Sequence, residues 1–220
     1  MSLLAFDVDG TLITCRERQL NVLKVALKTL KIGDGIDLDE HWDYKQNGLS
    51  TRKALVAQGF SKASADSVGA LWDRSIEEPP FLMLDRPHPG VLELLDALAK
   101  QGSELVIISA RKNATLLKQE LSYLGLLKHF SRIFVVKPQT GGTEKGAILQ
   151  KLCPDLYVGD TEMDAQAARM ANVNFCGVAT GQRNASFMRN SMLRLGDFPL
   201  ITLDSSDLML YQYSRQNTPS

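Results

Sequence analysis

From about residue 89 to residue 180 the chain alternates short, mostly apolar runs with longer amphipathic segments, and this alternation constrains the fold most. The runs are 104–109 (ELVIIS), Arg132–Val136 (RIFVV), 156–158 (LYV) and 174–178 (NFCGV), with Leu3–Phe6 (LLAF) as an earlier member. Runs this short and this apolar fit strands covered on both faces of a parallel sheet. The segments between them carry helical spacing. Val91, Leu94, Leu95 and Leu98 are closed by Gly102, and Leu116, Leu117, Leu121 and Leu124 by Gly125. Ile148, Leu149 and Leu152 follow Thr143, a residue suited to an N-cap, and Met163, Ala167 and Met170 form a last stripe. An αβαβαβαβ order predicts an open, doubly wound α/β fold.

Residues 15–85 break the alternation. Helical spacing recurs at Leu20, Leu23, Leu27 and Leu30, then over about 50–58 and 63–76, with no strand between. This predicts a small helical domain, 15–85, inserted after the first strand of a core formed by 1–14 and 86–220. The segment 85–90 (DRPHPG) has the composition of a returning linker.

With 220 residues, 44% of them hydrophobic, the chain can bury a core and still carry such an insertion. Lys+Arg equals Asp+Glu at 25 each, so charge gives no reason to expect nucleic acid or an anionic membrane as partner. Cys15, Cys153 and Cys176 lie far apart and read as reduced thiols. No signal-peptide pattern opens the sequence and no apolar stretch reaches spanning length, so a soluble, cytoplasmic protein is expected. A monomer or homodimer is expected, with 208–213 as one segment able to support a dimer.

Acidic residues gather where strands end. Asp7 and Asp9 follow the first strand in Phe6-Asp7-Val8-Asp9-Gly10-Thr11-Leu12, Asp160 and Asp164 follow the fourth, and Ser109 closes the second. Ligands of open α/β sheets bind outside the C-terminal strand ends. Several carboxylates sharing that crevice would repel one another unless a hard divalent cation such as Mg²⁺ joined them. Asp7 could then attack phosphorus, with Asp9 as general acid and base, while Gly10 permits close backbone approach and Thr11 offers a hydroxyl.

Asp-Val-Asp-Gly-Thr at 7–11, Ser109, and Gly-Asp-Thr-Glu-Met-Asp at 159–164 resemble, in order and context, the first, second and fourth motifs of the haloacid dehalogenase superfamily. The resemblance implies a Rossmann-like core with a helical cap. It implies Asp7 as nucleophile, Asp9 as acid/base, and Mg²⁺ held by Asp7, the Asp9 carbonyl and Asp160, with Asp164 supporting that shell or orienting the lysine. Ser109 would bind the phosphoryl group, with Ala110 and Arg111 beside it. Read from its position alone, Arg111 is rather a helix-start arginine with a surface partner.

The third motif's lysine is Lys145, before the helix leading to 159–164, or else Lys137, after the third strand. Gly141-Gly142 would give Lys145 a mobile loop. The cap's reader is expected in a loop at 42–52 (WDYKQNGLSTR), with Lys45 and Arg52 as substrate contacts. The function so implied is hydrolysis of a small phosphorylated metabolite of the phosphoglycolate phosphatase kind. The alternatives are a phosphosugar mutase like β-phosphoglucomutase and a catalytically weak binding protein. A phosphonate hydrolase would need a cap lysine, for which Lys24 and Lys28 are weak candidates, and Asp9 argues against a dehalogenase.

Overall fold

The computed structural model describes residues 2–33, 35–193 and 200–201. Among the described residues six parallel strands form one sheet in the order β3-β2-β1-β4-β5-β6. They are β1 (Leu3–Phe6), β2 (Glu104–Ala110), β3 (Arg132–Val136), β4 (Leu156–Gly159), β5 (Phe175–Val178) and β6 (Leu200–Ile201). The five strands expected from the apolar runs are present, and Leu200–Ile201 adds a sixth beside β5. Order reverses at β1, which pairs with β2 on one side and β4 on the other. Ligands of such sheets bind at this switch point.

Alternation along the strands divides the core. Leu4, Phe6, Leu105 and Ile107 face one apolar cluster, which includes Val91, Leu94, Leu95 and Leu98 of α6 (Val91–Lys100) and Leu117 and Leu121 of α7 (Ala114–Tyr123). Ala5, Val106, Ile108 and Tyr157 face the other, which includes Leu149 of α8 (Gly141–Leu152) and Ala165, Ala167 and Ala168 of α9 (Glu162–Ala171). Helices on both faces make the sheet doubly wound.

Between β1 and α6 lie α1 (Arg16–Leu30), α2 (Leu38–Gln46), α3 (Thr51–Ala57), α4 (Lys62–Ser75) and α5 (Pro79–Leu82). Leu23, Ala26 and Leu27 of α1 pack on Leu55 of α3 and on Ala65 and Val68 of α4, an apolar cluster separate from the two around the sheet. The two connecting segments run side by side: Thr14 N donates to the Arg86 carbonyl at 2.7 Å, and His88 N to that of Leu12 at 3.0 Å.

Several local expectations need correction. The 42–52 segment is not one loop: 42–46 completes α2, and Ser50 caps α3, its side chain accepting from Lys53 N. The Met163–Ala167–Met170 stripe is not the buried face of α9, since both methionines are exposed and small alanines fill the close approach to the sheet. Helix α8 starts at Gly141, with Thr140 rather than Thr143 as N-cap, so Gly141 and Gly142 form its first turn and not a loose loop. Gly141 is suited to that place because a Cβ there would lie 3.3 Å from the Ala110 Cβ. The segment 208–213 lies outside the described residues. No described helix is long and apolar enough to cross a membrane, and no disulfide joins the cysteines.

Candidate active site

Beyond β1 the chain turns tightly around Val8, whose carbonyl accepts from Thr11 N, Leu12 N and Ile13 N. Val8 is fully buried between Asp7 and Asp9. Asp7 continues the ladder, its N–H donating to the Val158 carbonyl at 2.9 Å. Gly10 sits at φ +79, and a Cβ there would come within 2.2 Å of Asp160 Oδ2, so glycine is required on both counts. Thr11 is buried and its hydroxyl turns to Asp160 Oδ1 at 3.5 Å, away from the cleft.

Strand β4 delivers Asp160, and α9 delivers Asp164 from its first turn. Carboxylate oxygens of Asp7, Asp160 and Asp164 lie within 4.8 Å of one another. Lys145, from α8, donates to Asp7 Oδ1 at 2.7 Å and to Asp164 Oδ1 at 2.6 Å. Asp164 is further engaged by the Tyr157 hydroxyl at 2.6 Å and by Thr161 in a capping box, so it acts on Lys145 from a fixed position. Asp160 Oδ2 accepts from Gln182 N at 2.6 Å. Lys137 is exposed and stands outside this group.

Burial pushes the Asp7 carboxyl up to about 7, against the pull of Lys145 and with Asp164 and Asp9 adding to the rise. Burial and the neighbouring Asp7 and Asp164 raise Asp160 well above the usual carboxylate range. Burial opposes ionisation of Asp164 too, but Lys145 outweighs it and holds that carboxyl low. One ammonium thus faces three buried carboxyls. Hard oxygen donors with uncompensated negative charge fit Mg²⁺.

Asp9 points elsewhere. Its carboxylate accepts from Arg111 Nε at 2.5 Å and Nη2 at 2.8 Å, and from Arg18 Nη2 of α1. Burial works against its charge, yet Arg111 and Arg18 prevail and hold it at about 2. Arg111 is therefore no surface arginine: it is 4% exposed, and it also reaches Glu120 Oε2 at 3.0 Å.

A cleft of about 480 Å³ opens over Asp7, Asp9, Lys145 and Asp164, with Ala110 and Arg111 in its core wall and Arg18, Gln19, Trp72 and Ile76 from the helical insertion above. The Ser109 hydroxyl is buried beside this wall without a hydrogen-bond partner among the described residues. Neither cap residue expected to contact substrate lines the cleft. Lys45 is buried, donates to the Thr51 hydroxyl at 2.9 Å and lies 4.9 Å over the Trp72 ring. Arg52 pairs with Asp73 at 2.7 Å on the half-exposed flank of α3 and α4.

Sequence reasoning missed Arg18, Asp85, Glu120 and Tyr157. Glu120 carried a signal, since it falls between Leu117 and Leu121 on the buried face of α7. Arg18 and Asp85 carried none, because their burial arises from the docking of the insertion on the core.

The doubly wound sheet, the interrupting helices and the acidic cluster at the switch point define a doubly wound α/β protein with a ligand crevice outside its C-terminal strand ends. The family model for haloacid dehalogenase-like hydrolases matches residues 4–178, and the chain belongs to that family. It is 29% identical over 191 residues to a phosphoglycolate phosphatase of Agrobacterium fabrum, covering 80% of this chain and 79% of that one. It is 28% identical over 184 residues to a phosphoglycolate phosphatase of Aquifex aeolicus, covering 78% and 81% respectively. A haloacid dehalogenase-like family protein from Streptococcus pneumoniae shares the fold with a TM-score of 0.76 at 18% identity, over 96% of this chain and 98% of that one.

Proposed function

We propose that this chain is a Mg²⁺-dependent phosphatase that hydrolyses a small phosphate monoester of the phosphoglycolate kind. The observation that carries the reading is the Asp7 carboxylate at the cleft floor, ion-paired to Lys145 and grouped with Asp160 and Asp164. Membership of the family and the phosphoglycolate phosphatase names of its relatives support it.

An Asp7 oxygen attacks phosphorus, the bond to the ester oxygen breaks, and an aspartyl-phosphate forms. Lys145 offsets charge on Asp7 and on the arriving phosphoryl oxygens. The unpartnered Ser109 hydroxyl is available to a phosphoryl oxygen. Asp9 begins as the carboxylate; a proton brought by the phosphate monoanion passes through it to the leaving oxygen. Water then attacks phosphorus while Asp9 accepts its proton, and phosphate leaves with Asp7 restored. Asp7, the Asp9 carbonyl and Asp160 would hold Mg²⁺, which when bound neutralises phosphoryl oxygens. Closure by the insertion keeps solvent from the reacting centre, and a cleft of about 480 Å³ favours a small metabolite.

The test is phosphate release from a panel of phosphorylated metabolites including 2-phosphoglycolate, with and without Mg²⁺. The expected outcome is Mg²⁺-dependent turnover lost by more than about 10³-fold in Asp7→Asn. Turnover unaffected by that substitution would refute the assignment. Apart from activity, saturating Mg²⁺ should stabilise the protein by about 2–3 kcal/mol in thermal unfolding, and Asp160→Asn should abolish the effect.

A further inference from the structure

Five charged side chains form a closed ring along the wall of the cleft. Arg111 grips Asp9 with two hydrogen bonds and reaches Glu120 Oε2 with the same Nη2. From the other side Arg18 donates to Asp9 Oδ1, and its Nε lies 3.0 Å from Asp85 Oδ2. The Asp85 and Glu120 carboxyls meet within hydrogen-bonding range and close the ring. The side chains of Arg18, Arg111 and Glu120 are each 3% exposed and that of Asp85 is 1% exposed.

Two guanidiniums face three carboxyls here. Beyond the Arg18 ion pair, no N–H or O–H among the described residues donates to either Asp85 oxygen or to Glu120 Oε1. One proton shared between Asp85 and Glu120 would supply the missing donor and leave the ring neutral. Burial favours that proton, pushing Asp85 up to about 9 and Glu120 in the same direction. A buried ring with every charge matched has two fixed guanidiniums rather than two mobile ones.

The member of the ring that borders the reacting centre is the Asp9 carboxylate, which both guanidiniums hold. Arg111 sets its plane by a two-pronged contact, and Arg18 holds Oδ1 from the insertion side. Misplacing a reacting group by even an ångström is costly to rate. We propose that Arg18 is a positioning residue, anchored by Asp85 and acting with Arg111 to aim Asp9 at the water that hydrolyses the phosphorylated enzyme. The proposal rests on the phosphatase reading above.

p-Nitrophenyl phosphate separates this role from a purely structural one, because its leaving group departs without a proton and only the hydrolytic half-reaction then needs Asp9. Arg18→Met should lower kcat and KM together, each about 30-fold, leaving kcat/KM within about threefold of wild type. Phosphoenzyme should accumulate on acid quenching, and Arg18→Lys, which keeps one donor, should fall between the two. A drop in kcat/KM without phosphoenzyme would overturn the proposal. If Arg18→Met does not fold, Arg18→Lys carries the same comparison.

A crystal structure of either variant decides independently of turnover. Asp9 rotated out of its two-pronged contact with Arg111 supports the role, and Asp9 unmoved overturns it. Wild type inactive on every ester would instead remove the phosphatase reading, and the variant's structure would still judge Arg18.

Discussion

Lys145 shows how much one side chain can settle. Two lysines answered to the same sequence description, and only Lys145 reaches Asp7 and Asp164, at 2.7 and 2.6 Å. Its ammonium is held charged, since its two carboxylate partners outweigh the burial that would otherwise strip its proton. On the proposed phosphatase reading, Lys145→Met should therefore cost about 10²–10³-fold in kcat, because it removes charge stabilisation at the reacting phosphoryl group. Lys137→Met should change kcat by less than about twofold, as expected of an exposed side chain that does not line the cleft. Steady-state kinetics of the two variants side by side would check this, and a larger loss at Lys137 would reverse the assignment. Arg111 teaches the opposite lesson. A charged residue just after a strand reads as surface by default, and only its partners Asp9 and Glu120 explain its burial.

At the scale of elements, the site depends on how α9 begins. Thr161 caps the helix and Asp164 completes the capping box, so the residue that orients Lys145 is also part of the helix start. Thr161→Ala removes a hydrogen-bond acceptor from the Asp164 N–H and a donor to its carboxylate. Loss of such a cap costs about 1 kcal/mol, which for a chain of this size lowers Tm by about 2–4 °C. Calorimetry checks the prediction, and an unchanged Tm would show that the box contributes nothing. The α9 stripe was misread in sequence because methionine is apolar wherever it stands. The close packing of α9 on the sheet admits alanine, and the methionines are left outside. The beginning of α8 differs from the expected one for a related reason: Thr140, Gly141, Gly142 and Thr143 all stand near the boundary, and packing chooses among them.

At the scale of the molecule, the insertion has its own apolar cluster and its own titration behaviour. His41 of α2 is 1% exposed and bonds Gln58 at 3.3 Å. Burial and the nearby Lys45 lower it to about 4, with the Gln58 bond opposing. The folded pKa lies below the unfolded value of about 6.5, so on acidification the unfolded chain takes up this proton first. This site leaves stability unchanged above about pH 6.5 and erodes it between there and pH 4, by about 2 kcal/mol at pH 5. Urea unfolding at pH 7 and pH 5 should show that loss in wild type and not in His41→Asn. Equal losses in both would place the acid sensitivity elsewhere.

Local patterns along the chain carry five of the sheet's strands, the position of the helical segment between the first and second of them, and the acidic residues at the strand ends. These follow from local rules: apolar runs of strand length, helical spacing, and Asp-Val-Asp-Gly, where two carboxylates flank a buried valine. Folding in three dimensions settles which lysine joins Asp7, that Arg52 turns to Asp73, and that Arg18 and Arg111, backed by Asp85 and Glu120, hold Asp9. Those contacts join residues up to 138 positions apart, and whether a charge is buried with a partner depends on which elements pack together, a property no local pattern encodes.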